Sequence, residues 1–190
     1  MNIWKHFKTI THHKTLVAKG CFKVGLYKQG LLHDMSKYSP TEFWVGQNTI
    51  RGTRSPNNAE REDIGYSSAW LHHKGRNKHH YEYWIDYSMQ ALPGGMAPVP
   101  MPDKYIAEMI MDRIAASKVY MGDEYTDRSP LDYYYQGTDR APIHPETKAK
   151  LLYVLEMLAE EGEEKTFRFI KEELVQHKRC MDWHQLEKAE

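Results

Sequence analysis

The sequence lacks a surplus of either charge. Its 190 residues carry 26 Lys and Arg against 26 Asp and Glu, a formal net charge of zero. That balance argues against a general nucleic-acid or membrane-surface binder, which needs a basic excess. Cysteine is scarce: Cys21 and Cys180 stand far apart, and a reduced cytoplasmic setting is the simplest expectation. No stretch approaches the roughly 20 apolar residues of a membrane span, and the N-terminus has no apolar signal core. Strand-like alternation of useful length and internal repeats are also missing. The chain is long enough for one domain with a real core, and its fold class is expected to be all-α.

Helical spacing is what the sequence does show. Ile3, Phe7 and Ile10 share one face, and a second helix is expected from Thr11, as N-cap, to Gly25. A short helix is expected over about 27–37. Ser39-Pro40-Thr41-Glu42 has the form of a capping box with proline at the first helical position. Residues 47–63 are polar and predict a loop. Helices are then expected over about 64–74 and 79–90, with Gly75 to Lys78 as a break. Leu92 to Pro102 predicts a proline-rich loop. Asp103 caps a helix over about 104–121, and residues 122–144 are expected to be irregular. Pro145 opens a helix to Glu161, ended by Gly162, and a last helix covers about 163–179. A division at 135 places an N-terminal metal-binding helical domain at 1–135, with C-terminal helices of 136–190 packed on it.

Histidine is the abundant residue. There are eleven, and His72-His73 and His79-His80 form two adjacent pairs. Helical phase sorts them. His13 shares a face with Val17, Gly20 and Val24, whereas His12 aligns with Lys19 and Lys23. His73 follows Tyr66, Ala69 and Trp70, so it is the inward member and His72 the outward one. His80 aligns with Tyr83, Trp84 and Tyr87 and His79 with Tyr83 and Asp86. His80 is favoured, but a helix start is where phase decides least. Asp112 lies on a stripe of Tyr105, Met109, Ala116 and Val119, where a carboxylate is costly unless it is paired or metal-bound. His33 and Asp34 are adjacent, and neighbours on a helix diverge by about 100°. Both reach one metal ion only if the helix passes beside it. Each histidine alone is explained as a core residue; several segments each offering an inward ligand point to a metal site.

The order His13, His33-Asp34, His73, His80, Asp112 resembles the HD-domain superfamily of metal-dependent phosphohydrolases, in its form with extra histidines and two metals. The segments HHKTLVAKG, GLLHDMSKYSPTEF, AWLHHKGRNKHHYEYW and EMIMDRIAASKVY also resemble an uncharacterised bacterial and phage family within that group, DUF5662-like. The resemblance covers about residues 5–135. It implies an HD-like helical bundle and one metal held by His13, His33, Asp34 and Asp112. It further implies that Asp34 bridges to a second metal bound by His73 and by His80 or His79. Lys37 matches a lysine that often lies near the substrate phosphate. The spacing from His73 to His80 departs from that of characterised subfamilies, so no substrate class follows.

The expected activity is hydrolysis of a small phosphoester or nucleotide at a mono- or dinuclear centre. One or two divalent ions are expected, with Fe, Mn, Zn, Co and Mg all open. Asp34, Lys37 and Arg76 would be the catalytic residues, the two cations adding charge for the phosphoryl transition state. Two alternatives stay open: a di-iron oxygenase on the same scaffold, and a non-catalytic module stabilised by its metal. The expected partner is a small phosphorylated molecule, and an oligomer is compatible with the sequence.

Overall fold

A computed structural model describes residues 3–48, 56–89, 93–137, 141–178 and 183. Cys180 and residues 49–55 lie outside that set. The architecture is all-α, with one small antiparallel hairpin.

The helices are α1 (Ile3–Val24), α2 (Tyr27–Leu32), α3 (Pro40–Asn48), α4 (Pro56–Ile64), α5 (Ser68–Lys74), α6 (Asp103–Met121), α7 (Ser129–Tyr135) and α8 (Pro145–Phe169). A π-helical turn, Ile170–Val175, continues α8. Strands β1 (Ile85–Tyr87) and β2 (Met96–Pro98) pair with Ile85 opposite Pro98. No helix among the described residues is long and apolar enough to cross a membrane.

The core lies between α1, α6 and α8. Val17, Cys21 and Val24 meet Ile106, Ile110 and Ile114, which meet Leu151, Leu155 and Leu158. Consecutive residues Ile106 to Met111 are all buried, Glu108 included, so α6 is the central helix. Fully burying such side chains contributes about 1.5–3 kcal/mol each relative to exposure.

Several elements differ from the sequence expectation. Residues 3–24 form one helix, not two. Thr11 lies inside it, and its hydroxyl pairs with Tyr38 Oη at 3.2 Å instead of capping. Gly25, at φ 90°, closes α1: Leu26 N–H donates to Cys21 C=O at 2.8 Å, the C-terminal reversal that glycine favours. The expected helix over 27–37 stops at Leu32, and Met35–Tyr38 is a 3₁₀ turn.

The 47–63 loop is helical from Pro56. Within the expected 79–90 helix, Tyr81–Trp84 is a 3₁₀ turn followed by β1. Trp84 Nε1 donates to Lys78 C=O at 2.8 Å, and Val99 N–H to Trp84 C=O at 2.8 Å; the β2 pairing holds this segment extended. Residues 129–135, expected to be irregular, form α7. Gly162 does break α8, at φ 78° and ψ 172°, a region that is essentially glycine's alone.

Candidate metal centre

The corner after α2 organises the site. The chain leaves α2 through His33, at φ −50° and ψ 128°, and Asp34, at φ 52° and ψ 27°. A left-handed aspartate is uncommon and costs local strain. The turn resolves the divergence of adjacent helical residues: both side chains point inward because the helix has already ended. Lys14 on α1 secures the corner by donating to the carbonyls of Leu31 at 2.8 Å and His33 at 2.7 Å. An ammonium there satisfies the open end of α2 and suits its dipole. Lys14 follows His13, so the same contact registers His13 against the His33-Asp34 pair.

Two groups of potential ligands share one carboxylate. His13, His33, Asp34 and Asp112 form the first, and Asp34, His73, His79 and His80 the second; within each, one donor atom per residue lies within 4.8 Å of every other. Asp34 is 1% exposed, and its two oxygens are divided. Oδ2 lies 3.3 Å from His33 Nε2 and 4.0 Å from His13 Nε2. Oδ1 lies 3.3 Å from His73 Nε2 and 3.4 Å from His79 Nε2. His13 Nε2 also donates to Asp112 Oδ1 at 2.9 Å. Lys37 Nζ closes the open side at 2.6 Å from Asp34 Oδ2.

Two buried glutamates stand behind the histidines. Glu108, one turn before Asp112 on α6, accepts from His33 Nδ1 at 3.0 Å, and its same oxygen lies 3.2 Å from His79 Nδ1. Glu42 on α3 accepts from His72 Nδ1 at 2.6 Å and His73 Nδ1 at 2.7 Å. Ser36 and Asn77 add contacts to His73 Nδ1 at 3.2 and 3.1 Å. Trp70 stacks on the His73 ring, with centroids 5.5 Å apart.

These contacts test whether the donors suit a cation. A histidine whose Nδ1–H is bonded to carboxylate presents a lone pair at Nε2. His33 Nε2, His79 Nε2 and Asp34 Oδ1 are buried without an aligned hydrogen bond among the described residues, while Asp34 Oδ2 has Lys37 Nζ as its close partner. Lone pairs would then face one another at little more than 3 Å. Only a positive charge between them, a proton or a metal ion, makes that arrangement favourable. Mixed imidazole and carboxylate donors suit divalent zinc, iron and manganese.

Without an ion, protonation of His33 supplies such a charge. Burial favours a protonated Asp34, but His33, Lys37 and His73 outweigh it and hold its pKa well below the ordinary value. Asp112 is likewise held down against burial by hydrogen bonds from His13 and His33. Burial opposes charge on His33, yet Asp34, Asp112 and Glu108 raise its pKa well above the usual. His80 moves the other way, lowered by burial and then by His79 and His73.

The phase assignments meet the structure unevenly. His13 and His73 are buried, His12 is exposed and His72 half-buried. The preference for His80 over His79 fails as a choice: His79 is the more buried, at 1% exposed, and both join the second group. The segment is not α-helical there, so helical phase had nothing to act on. Arg76 is not brought to the cluster. It is exposed and donates to His72 C=O at 3.2 Å, beside a recess lined by Ser36 and Asn77 on the Nδ1 side of His73.

Sequence reasoning missed Glu108 and Glu42. Glu108 carried a signal: a carboxylate within the otherwise apolar run Ile106 to Met111, four residues before Asp112. Glu42 has the spacing of a capping-box residue, but its carboxylate is engaged by His72 and His73, and Ser39 Oγ is buried without a partner among the described residues.

His12→Ala should leave metal content unchanged, and His13→Ala should lower it by at least one ion per chain. Elemental analysis of both variants, purified without chelator, checks this; the opposite result would remove α1 from the site as drawn.

A family model described as a family of unknown function (DUF5662) matches residues 2–157. No curated protein and no solved structure matches the chain.

Proposed function

Since the chain belongs to the DUF5662 family, whose function is unknown, we propose from the site itself that it is a metal-dependent phosphohydrolase of HD-domain type, acting on a small phosphoester or nucleotide. The observation that carries this reading is the division of Asp34, one oxygen toward each histidine group. Such a carboxylate is suited to holding two cations at a fixed separation, about 3.5–4 Å in dinuclear hydrolases. Bound there, the ions would lower the pKa of water toward about 7 and offset charge on phosphoryl oxygens.

The protein's own residues supply the rest. His13, His33 and Asp112 would hold one ion with Asp34, and His73, His79 and His80 the other. Lys37, a third exposed at its side chain, is the cation placed to meet an anionic substrate at the open side. Arg76 has no such placement and is dropped from the catalytic set.

The test is elemental analysis of protein purified without chelator, followed by phosphate release from nucleotides and small phosphoesters with Mn2+, Co2+, Zn2+, Mg2+ or anaerobic Fe2+. Two ions per chain with metal-dependent phosphate release support the reading. Substrate oxidation coupled to O2 uptake by the iron form, without phosphate release, would replace it with the oxygenase alternative.

A further inference from the structure

We infer that Glu108 is a positioning residue that ties the two metal sites together from behind, as Asp34 joins them in front. The inference rests on the dinuclear reading of the site. Its observation is that one oxygen serves two rings: Glu108 Oε1 lies 3.0 Å from His33 Nδ1 and 3.2 Å from His79 Nδ1. His33 belongs to the first group and His79 to the second. Their rings lie side by side, with centroids 4.4 Å apart and planes 36° apart.

Opposite edges of the two rings face opposite oxygens of Asp34. His33 Nε2 is 3.3 Å from Oδ2, and His79 Nε2 is 3.4 Å from Oδ1. Glu108, His33, Asp34 and His79 thus close a loop in which each ring is held between two carboxylates. An ionised carboxylate can only accept, so it selects the Nδ1–H form of both imidazoles and leaves both Nε2 atoms as ligands. It also sets both ring orientations from one point on a rigid element.

The position is otherwise a poor one for a carboxylate. Glu108 is 5% exposed, between Ala107 and Met109 on the central helix, both of them buried. Burying a carboxylate among apolar neighbours is costly unless it is fully hydrogen-bonded. The two histidines are its partners, so rings and carboxylate stabilise one another, and replacing the carboxylate frees both rings at once.

A histidine anchor that served one site only would affect one ion. Glu108 should affect both. Outer partners of metal-ligating histidines typically contribute about 10–100-fold in affinity. Glu108→Ala should therefore weaken both equivalents of Co2+ by about that factor. Glu108→Gln, which keeps an acceptor oxygen but loses the charge, should fall between the variant and wild type.

The experiment titrates the full-length protein and both variants with Co2+ alone against a competing chelator, following the visible d–d absorption. Ring 15N spectra of the Zn2+-loaded forms report which nitrogen of each histidine carries the proton. Two weakened equivalents in Glu108→Ala, partial recovery in Glu108→Gln and an Nδ1–H signal for both rings in wild type are the expected results. Loss of one equivalent alone, or unchanged affinity for both in either folded variant, would overturn the inference. These readouts are independent of turnover. A wild type that binds two ions but releases no phosphate would sink the phosphohydrolase reading and leave this one standing.

Discussion

Asp34→Asn should bind markedly less metal at both positions and release no detectable phosphate, while remaining folded. The substitution keeps the shape of the side chain and removes the charge that both histidine groups face. An amide cannot present two anionic oxygens, and its nitrogen would meet a histidine Nε2 where the carboxylate met a cation. Neither ion would then be held at the separation that a dinuclear hydrolysis needs. Stability should fall as well. In the metal-free protein the buried carboxylate is paired with His33, Lys37 and His73, which hold its pKa well below the ordinary value, and removing one partner of a buried pair leaves the others uncompensated. The metal-free variant should therefore melt below metal-free wild type at neutral pH, and the gap should close as pH falls through the folded pKa of Asp34. A purely structural metal site predicts the same losses of metal and stability with no turnover in wild type to lose. Paired thermal melts, metal analysis and phosphate release on both proteins decide. Full metal content in Asp34→Asn would remove Asp34 from the ligand set whatever the activity.

Removing metal from the wild type should lower its melting temperature substantially, and the loss should grow as pH rises. A ligand at a thousand times its Kd stabilises the folded state by about 4.1 kcal/mol. For a chain of this size each kcal/mol moves the midpoint by about 2–4 °C, so saturation of one site corresponds to roughly 8–16 °C.

The pH trend follows from His33. Its folded, metal-free pKa is raised well above the ordinary 6.5 by Asp34, Asp112 and Glu108, against burial. That raised value stabilises the metal-free fold fully below about pH 6.5 and is lost as pH rises through the folded pKa. Metal must displace the same proton, so affinity rises over the same interval. His80 is already held neutral, by burial and by His79 and His73, and needs no proton removed. The difference between loaded and chelated melting temperatures should therefore widen from pH 6 to pH 8. A difference that narrows over that range would show that His33 is not a ligand. The carboxylates act at the other end of the scale. Asp34 and Asp112 have lowered pKa values, so their stabilisation is present above about pH 4 and is lost as pH falls through the folded values.

Part of the site could be read from the chain alone because three of its seven candidate ligands, His13, His73 and Asp112, sit on regular helices. His13 and His73 follow the apolar stripes of α1 and α5, and a period of 3.6 residues is enough to choose them over His12 and His72. Asp112 was legible as a charge on such a stripe. The all-α class followed equally from periodicity and from the missing alternation. The tertiary structure decided what periodicity cannot encode. His33 and Asp34 point together because α2 ends before them and Asp34 turns left-handed, a conformation held by contacts such as Lys14 to the α2 carbonyls. His79 and His80 both face the site because β-pairing and the Trp84 contacts keep that segment out of a helix. Glu42 and Glu108 are found only across the fold, at separations of 31 and 75 residues from the histidines they orient. The pattern of one helix selects a face; which carboxylate meets that face depends on how the helices pack.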